Sequence, residues 1–178
     1  MTARKLELMR RYDETVEIYD KRYKEIQHLK YHTAVKSLPP NARRILDLGC
    51  GTGMFLKELS RHAEFVAGID ASLEMLRMAN VRRGKAALVL ADADQLPFAD
   101  GSFDAVVSVT LLQNMPDPAV TIKEVARVLR PGGRAILTTL KRKHSQKDLE
   151  GWVRKVGMRL INSGEIEGSE DVMCVAGL

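Results

Sequence analysis

Ile45-Leu46-Asp47-Leu48-Gly49-Cys50-Gly51-Thr52-Gly53 is the stretch that decides the fold of this chain. An apolar run carries an acid, and three glycines follow it at alternate positions. A buried β-strand that ends in such a loop, directly before a helix, leaves backbone with no Cβ to keep a ligand away. Polar atoms of a ligand can then meet main-chain N–H groups at the positive end of the helix. The stretch therefore predicts a nucleotide-type cofactor site in a doubly wound α/β sheet.

Length and composition indicate one folded domain. The chain has 178 residues, of which 45% are hydrophobic and 29% charged, enough for one α/β core and too few for two. We therefore treat residues 1–178 as a single domain, with a helical segment at 1–40 and a cofactor-binding core at 41–178. The net charge of +5 favours acidic partners such as nucleic acid, although a solvated surface of mixed charge gives the same value.

The positions of the cysteines and the hydropathy of the sequence limit the classes of protein to which this chain can belong. Cys50 and Cys174 are far apart in the sequence and show neither metal-site spacing nor a disulfide framework, so no metal is predicted. No apolar run approaches the ~18 residues of a membrane span. The first residues have no apolar segment behind them that would make a signal peptide. We expect a cytoplasmic protein without a membrane partner.

Hydrophobic periodicity predicts a long first helix. Residues 5–38 read as helix, and Pro39-Pro40 ends it because proline restricts the preceding residue and lacks a donor. Five side chains recur at steps of four and three, as one stripe of a helix does: Tyr12, Val16, Tyr19, Tyr23 and Ile26.

The rest of the chain alternates strands and helices. Strands are predicted at 44–48, 65–69, 87–91, 103–109 and 134–140, and helices at 53–62, 72–82, 118–129 and 146–156. Two late strands, 158–166 and 171–177, read as an antiparallel hairpin. Continuous apolar strands between helices imply a parallel sheet covered on both faces. The predicted fold is a doubly wound, mostly parallel, seven-stranded α/β sheet with a terminal antiparallel hairpin.

Three acids each close a predicted strand. Asp47, Asp70 and Asp92 occupy these positions, and strand ends in a parallel sheet lie side by side along the edge where ligands bind. A strand-end acid can also simply cap the following helix. Asp70 lies 19 residues beyond Gly51, the spacing at which a carboxylate accepts ribose hydroxyls, a feature shared with NAD enzymes.

The sequence contains an ordered set of motifs. They are Asp47-Leu48-Gly49-Cys50-Gly51-Thr52-Gly53, Asp70, Ala91-Asp92-Ala93, Leu96-Pro97-Phe98, Ser102-Phe103-Asp104 and Arg127-Val128-Leu129-Arg130-Pro131-Gly132-Gly133. This set resembles the class I S-adenosylmethionine-dependent methyltransferases, closest to their small biosynthetic and RNA-modifying type. The resemblance covers about residues 40–140, and the late hairpin is similar to the end of that fold.

The resemblance implies S-adenosylmethionine as cofactor and a role for each motif. The glycines would let the methionine moiety lie against the backbone, with Asp47 orienting the loop and Ser108 passing near that moiety. Asp70 would hold the ribose, while Asp92 and the backbone of Ala93 would meet adenine. The cofactor-binding set is Asp47, Gly49, Cys50, Gly51, Gly53, Asp70, Ala71, Asp92, Ala93 and Ser108. Several family members carry histidine after strand 4, where this chain has Gln113-Asn114, so no general base is assigned.

The acceptor is less well defined by the sequence. Tyr12, Tyr19 and Tyr23 are either a lid over the pocket or an apolar stripe that packs on the sheet. Lys141-Arg142-Lys143-His144 follows strand 5 and is either a phosphate-contacting rim or a solvated loop. Together with Gln113 and Asn114, the three tyrosines and residues Lys141, Arg142 and Lys143 are the candidate substrate contacts.

Several functions are consistent with these observations. The short link after strand 5 leaves an open pocket, which favours RNA or a protein tail as methyl acceptor, with an accessory subunit as a possible completion of the site. A small-molecule acceptor is the alternative. Two further rivals are a non-catalytic, methyltransferase-like binding subunit and an NAD-linked oxidoreductase. The NAD fingerprint, G-x-G-x-x-G, differs from this loop.

Overall fold

The computed structural model describes residues 3–178, with the side chains of all of these except residues 3, 4, 17 and 19. The elements in chain order are α1 (Ala3–Lys36), β1 (Arg44–Leu48), α2 (Leu56–Leu59), β2 (Phe65–Asp70), α3 (Leu73–Arg82), β3 (Ala87–Leu90), β4 (Phe103–Ser108), α4 (Pro118–Val128), β5 (Leu129–Leu140), α5 (Gln146–Lys155), β6 (Arg159–Glu165) and β7 (Asp171–Gly177). One short 3₁₀ turn, Leu112–Asn114, lies between β4 and α4.

The strands form one seven-stranded sheet in the order β3-β2-β1-β4-β5-β7-β6. Strands β1 to β5 are parallel, and β7 runs antiparallel to both β5 and β6. The chain winds outward from β1 to β3, then crosses back and winds from β4 in the other direction. This reversal between β1 and β4 is the position where doubly wound sheets bind ligands. The predicted fold is confirmed.

The sheet is buried on both faces, as the continuous apolar strands predicted. Successive residues point to opposite sides, so Leu46 joins one core, against α4 and α5, while Ile45 joins the other, against α1, α2 and α3. Ser72 caps α3 by accepting a hydrogen bond from the N–H of Met75 at 3.0 Å. Among residues 3–178, no helix combines the length and the apolar character needed to cross a bilayer.

Three local predictions differ from the structure, and the first concerns α2. This helix covers Leu56–Leu59 instead of residues 53–62. Gly53 has a φ of +77°, which is outside the helical region, and its N–H bonds the carbonyl of Cys50. The chain then leaves the helix through hydrogen bonds that span three residues instead of four, from the N–H of Arg61 to the carbonyl of Glu58 and from the N–H of His62 to that of Leu59. These turns shorten the helix at both ends.

The second difference is the start of β5, which begins at Leu129 rather than at residue 134. Pro131-Gly132-Gly133 lies within the strand as an irregular segment, where the register against β4 shifts. Gly132 has a φ of +79°, and a Cβ at Gly133 would lie 2.8 Å from the Arg130 carbonyl oxygen. Glycine therefore permits a bulge where the sequence predicted a turn.

The third difference concerns the buried face of α1. Ile26 was assigned to the buried stripe, but its side chain is 50% exposed. Gln27, Lys30 and Ala34 are buried instead. The helical period is as predicted, but its C-terminal part buries polar residues, which a search for apolar periodicity does not select.

Asp104, from one of the recognised motifs, stabilises the start of β1. Its Oδ2 accepts the N–H of Arg43 at 2.6 Å and of Arg44 at 2.8 Å, and its Oδ1 lies 2.6 Å from Arg130 Nε. The carboxylate is buried, so its loss leaves main-chain donors without a partner, which is costly.

We expect Asp104→Ala to lower the free energy of unfolding by about 2–4 kcal/mol, because two backbone donors lose their acceptor. Urea titration followed by circular dichroism measures the change. Asp100→Ala is the matched control, because Asp100 is exposed and pairs only at the surface with Arg127; it should change stability by less than about 0.5 kcal/mol. Equal effects of the two substitutions would contradict this account.

Candidate cofactor site

A cavity of about 110 Å³ opens at the carboxyl ends of the central strands. Residues that follow β1, β2, β3 and β4 form its floor and sides, and the first turns of α1 cover it. Its lining includes Gly49, Gly51, Asp70, Ala71, Ser72, Met75, Asp92, Ala93, Val109, Thr110, Leu111, Asn114 and Met115, and from α1 Lys5, Leu8, Met9 and Tyr12. The three strand-end acids were expected to share one edge of the sheet; Asp70 and Asp92 line this cavity, and Asp47 lines the recess beside it.

The glycine loop needs its glycines for two different reasons. Gly49, Gly51 and Gly53 all have positive φ, between 53° and 78°, which residues with a Cβ rarely adopt. Space is also restricted: a Cβ on Gly49 would lie 3.0 Å from Leu111 Cδ1, and one on Gly53 would lie 2.9 Å from Ala79 Cβ. The loop is therefore packed between the β4 exit and α3.

The main-chain donors of this loop are not directed at a ligand, contrary to the sequence expectation. The N–H groups of Gly49 and Cys50 bond the Ile69 carbonyl at 2.9 and 2.8 Å. The N–H of Gly51 bonds Asp70 Oδ2 at 2.9 Å. The four-residue α2 begins only at Leu56 and does not present its N-terminus directly behind the loop. The loop thus offers a ligand mainly acceptors and bare Cα atoms.

A recess beside the main cavity contains two buried acceptors without a hydrogen-bond partner. They are Oδ2 of Asp47 and Oε1 of Gln27, from β1 and α1. Burial, together with the negative charge of Asp70, raises the pKa of Asp47 to about 7. A buried acceptor without a partner is costly, so the recess fits a ligand group that brings N–H donors and positive charge.

Asp70 connects the loop to α3. One carboxylate oxygen accepts the N–H of Gly51 and the other accepts that of Ser72, both at 2.9 Å. Burial raises the pKa of Asp70, and these backbone hydrogen bonds act against that rise. A carboxylate oxygen can accept more than one hydrogen bond, so Asp70 retains capacity for ligand hydroxyls while it holds the loop.

Asp92 is engaged by α1. Its Oδ1 contacts Lys5 Nζ and also accepts the N–H of Asp94 at 3.0 Å. Burial acts to raise the pKa of Asp92, but the contacts with Lys5 and the Asp94 backbone outweigh it, so the pKa lies below its ordinary value. Asp92 is therefore a charged acceptor at the cavity, as expected, with a lysine beside it that the sequence analysis did not identify.

The other cofactor-site candidates differ in their placement. Ala71 and Ala93 line the main cavity, and Cys50 lines the recess, where burial raises the pKa of its thiol. Ser108 is fully buried, its hydroxyl has no hydrogen-bond partner, and it does not line the cavity. Val109, one position later, lines both cavity and recess. At the end of β4 the cavity wall is therefore formed by Val109 and not by the expected Ser108.

The candidate tyrosines of α1 differ in their position relative to the cavity. Tyr12 lines the cavity, and its hydroxyl accepts a hydrogen bond from Asn114 Nδ2 at 2.9 Å. Tyr23 does not line the cavity, and the Arg22 guanidinium lies 5.4 Å above its ring. The Tyr19 side chain lies outside the described residues. Lys5, Leu8, Met9 and Gln27 were missed, although they continue the Tyr12 stripe at helical spacing.

The basic segment after β5 does not line the cavity and is partly neutralised, so the structure does not bear out the expected basic rim on the cavity wall. Lys141 Nζ lies 2.8 Å from Glu165 Oε2, and Arg142 Nε lies 3.9 Å from Glu170 Oε2. Lys143 is exposed and does not line the cavity. The antiparallel hairpin brings its acids to the end of β5, and β4 separates β5 from β1.

Gln113 is also turned away from the cavity. Its side-chain amide donates to the Thr110 carbonyl, and its Oε1 accepts the Thr139 hydroxyl at 3.2 Å. Asn114 is thus the one residue of the Gln113-Asn114 pair that lines the cavity.

Comparison with known proteins gives one family. The methyltransferase-domain family matches residues 46–137, just over half of the chain. An uncharacterized methyltransferase of Mycobacterium tuberculosis is 38% identical over 128 residues, which cover 72% of this chain and 51% of that protein. A demethylmenaquinone methyltransferase of Corynebacterium kroppenstedtii is 42% identical over 96 residues, or 54% of this chain and 41% of that protein. The chain thus spans about half the length of these curated relatives.

Solved structures share most of the fold. A methyltransferase of Haloferax volcanii, solved in complex with the Trm112 methyltransferase activator, superposes with a TM-score of 0.78. The superposition covers 93% of this chain and 96% of that one at 22% identity. At this identity the likeness establishes the fold alone.

The pKa of Asp47 generates a prediction for stability. Below its unfolded pKa, near 3.8, Asp47 is protonated in both states; as the pH rises to about 7 the unfolded chain loses this proton first. The contribution of Asp47 to the free energy of unfolding is therefore present at low pH and lost between about pH 4 and 7, by up to about 1.4 kcal/mol per pH unit.

Asp47→Asn removes this titration and is the matched comparison. Urea unfolding of both proteins from pH 4.5 to 8 should show the wild type losing stability relative to Asp47→Asn up to about pH 7, with a constant difference above it. A difference that is independent of pH over the whole range would refute the assignment of a raised pKa to Asp47.

Proposed function

The chain belongs to the class I S-adenosylmethionine-dependent methyltransferases, and we propose that it transfers the methyl group of S-adenosylmethionine to an apolar small-molecule acceptor. The observation that supports this proposal most strongly is the pair of unpaired acceptors in the recess, directly beside a cavity with largely apolar walls. Such a site accommodates a cationic amino-acid moiety next to an apolar substrate.

The residues present fit the cofactor. Asp47 and Gln27 are proposed to accept hydrogen bonds from its α-ammonium group, since their oxygens are buried and unpaired. Asp70 is proposed to accept the ribose hydroxyls, and Asp92 the exocyclic amine of adenine, with the Ala93 backbone beside the ring. The remaining proposed contacts are Gly49, Cys50, Gly51, Gly53 and Ala71. At the end of β4 we propose Val109 as the contact in place of Ser108.

The same observations argue against the NAD-linked alternative. A dinucleotide pyrophosphate needs free main-chain donors at a glycine loop and helix N-terminus. Here the donors of Gly49, Cys50 and Gly51 are already bonded to Ile69 and Asp70. A carboxylate whose oxygen is unpaired, Asp47, would face the phosphates. The site therefore favours a cation over an anion.

Catalysis in this site depends on orientation and on exclusion of water. When bound, the cofactor supplies a methyl group on a sulfonium, whose transfer breaks the C–S bond, leaves a neutral thioether and makes one bond to the acceptor, which then releases a proton. Leu8, Met9 and Tyr12 cover the cavity from α1 and keep water from the reacting atoms. Alignment of donor and acceptor supplies most of the acceleration, and we assign no general base.

Features of the cavity support a small apolar acceptor over RNA or a protein tail. The side of the cavity formed by α1 and the β4 exit carries Leu8, Met9, Leu111 and Met115, with Asn114 and Tyr12 as polar groups. The basic segment that suggested RNA is paired with acids elsewhere. A relative at 42% identity is named a demethylmenaquinone methyltransferase, which makes demethylmenaquinone, in its reduced naphthoquinol form, a suitable first probe.

The remaining hypotheses concern partners. An accessory subunit stays a prediction, motivated by the structural likeness to a methyltransferase in complex with its activator. A non-catalytic binding role also stays open to experiment. Methyl transfer by the purified chain alone would exclude the second hypothesis and show that the first is not required.

The cofactor assignment predicts the effect of two substitutions. Asp70→Ala and Asp92→Ala should each weaken S-adenosylmethionine binding by about 1–3 kcal/mol, because a buried or partly buried carboxylate acceptor is lost. Isothermal titration measures the affinity. Glu64→Gln is the control, since Glu64 is 67% exposed and pairs with Arg43 on the surface. Unchanged affinity in both aspartate variants would defeat the pocket assignment.

The acceptor is tested by incubating the chain with methyl-tritiated S-adenosylmethionine and separated RNA, protein and metabolite fractions of a cell extract, together with the naphthoquinol probe. We expect label in the apolar metabolite fraction. Replacement of Lys141, Arg142 and Lys143 by glutamine should leave this labelling unchanged, because these side chains do not line the cavity. Label confined to RNA or to protein would overturn the small-molecule proposal.

A further inference from the structure

The chain leaves β4 through an unusual residue. Thr110 has a φ of +58°, and among the described residues it is the one non-glycine residue in the left-handed region. A β-branched side chain rarely adopts this conformation, which persists only where the surroundings enforce it. Thr110 also lines the cavity. Backbone strain therefore coincides with the proposed site of methyl transfer.

Four hydrogen bonds enforce this conformation. The Thr110 hydroxyl donates to Asp171 Oδ2 at 2.8 Å and accepts from Lys30 Nζ at 2.9 Å. Its N–H donates to the Thr138 hydroxyl at 2.9 Å, and its carbonyl accepts from the Gln113 side-chain amide. Every polar group of Thr110 thus has a partner within the protein, and its side chain cannot rotate without breaking two bonds.

The partners include a buried ion pair. Lys30 Nζ lies 2.9 Å from Asp171 Oδ1, an ion-pair distance at an angle that is not that of a hydrogen bond. The side chains are 4% and 0% exposed, and neither lines the cavity. Apolar residues would fill this space without the desolvation cost of two charges. The pair is therefore a poor means of stabilising the fold and a good means of fixing one geometry.

The contacts that begin at the ion pair extend to the glycine loop. The turn at Thr110 leaves Val109, on one side of it, and Leu111, on the other, in the cavity wall. Leu111 in turn lies so close to Gly49 that a Cβ there would be 3.0 Å from its Cδ1. The contact chain thus runs from the ion pair through Thr110 and Leu111 to the glycine loop.

We propose that Lys30 and Asp171 are positioning residues that hold Thr110, and through it Leu111, against the glycine loop where the cofactor's methionine moiety is proposed to lie. This inference rests on the proposed function. Lys30 comes from α1, Thr138 from β5 and Asp171 from β7. Through these hydrogen bonds and this ion pair, the shape of the cofactor site depends on the docking of α1 and of the terminal hairpin.

Two substitutions at Thr110 separate positioning from general packing. Thr110→Val keeps the β-branch and replaces the hydroxyl by a methyl group, whereas Thr110→Ser keeps the hydroxyl and loses the methyl group. We expect Thr110→Val to weaken the binding of S-adenosylhomocysteine about tenfold, the scale of lost hydrogen bonds to charged groups. Thr110→Ser should stay within about twofold of the wild type. Isothermal titration of proteins whose near-ultraviolet circular dichroism matches the wild type gives both values.

The ion pair is tested by its coupling to Thr110. Lys30→Met should reproduce the loss seen in Thr110→Val, and the two changes combined should lose little more than either alone, since they break the same contact chain. Lys24→Met, at an exposed position of the same helix, is the matched control. The double variant Lys30→Met with Asp171→Leu removes both charges together and keeps the site packed, and it should show the same loss of affinity.

The outcomes are distinguishable. Wild-type affinity in folded Thr110→Val, or equal losses in Thr110→Ser and Thr110→Val, overturns the positioning role while the proposed function stands. Additive losses from Lys30→Met and Thr110→Val also overturn it. If the wild-type chain itself does not bind S-adenosylhomocysteine, the proposed function is wrong and the inference fails with it.

Discussion

The hydrogen bonds that join the glycine loop to the end of β2 determine what this site can bind. Because Ile69 and Asp70 take the N–H groups of Gly49, Cys50 and Gly51, the loop is directed inward. The same sequence pattern with its donors free would attract phosphate. Here the N–H donors of the loop are already used, so a ligand meets glycine Cα atoms and carboxylate oxygens. A ligand group with positive charge is therefore complementary to the site.

The electrostatics of the site follow from that arrangement. Asp47 is buried without a hydrogen-bond partner for Oδ2, and its pKa of about 7 means that the isolated site tends to hold a proton. Asp92, in contrast, stays charged because Lys5 lies against it. The two acids thus differ in character because Asp47 is fully buried without a cation, whereas Asp92 is only partly buried and has Lys5 against it. A cationic ligand group beside Asp47 would remove this difference.

Much of the sheet was predictable, since runs such as Ile45–Leu48 and Phe103–Val109 report burial on both faces directly. The acids at the strand ends were predictable as well, because each of them comes at the end of an apolar run. The α2 boundary was not, because glycine adopts helical and left-handed φ about equally well and the sequence does not show that Gly53 has a φ of +77°. Lys5, Gln27 and Lys30 were missed because polar residues on a buried helix face carry no apolar signal. The pairing of Lys141 with Glu165 depends on hairpin geometry that spacing alone does not define.

The polar face of α1 has a consequence for how the site is closed. An apolar stripe would hold this helix on the sheet through contacts that tolerate sliding, whereas α1 is held by specific partners along its length. Lys5 contacts Asp92 at the cavity, Tyr12 accepts a hydrogen bond from Asn114 beside it, and Lys30 pairs with Asp171 next to Thr110. Such contacts are directional, because each needs one partner at one distance and angle. The helix that covers the cavity is therefore held in one register at both ends of the site, and at one end its docking depends on Asp92, a carboxylate that also lines the cavity.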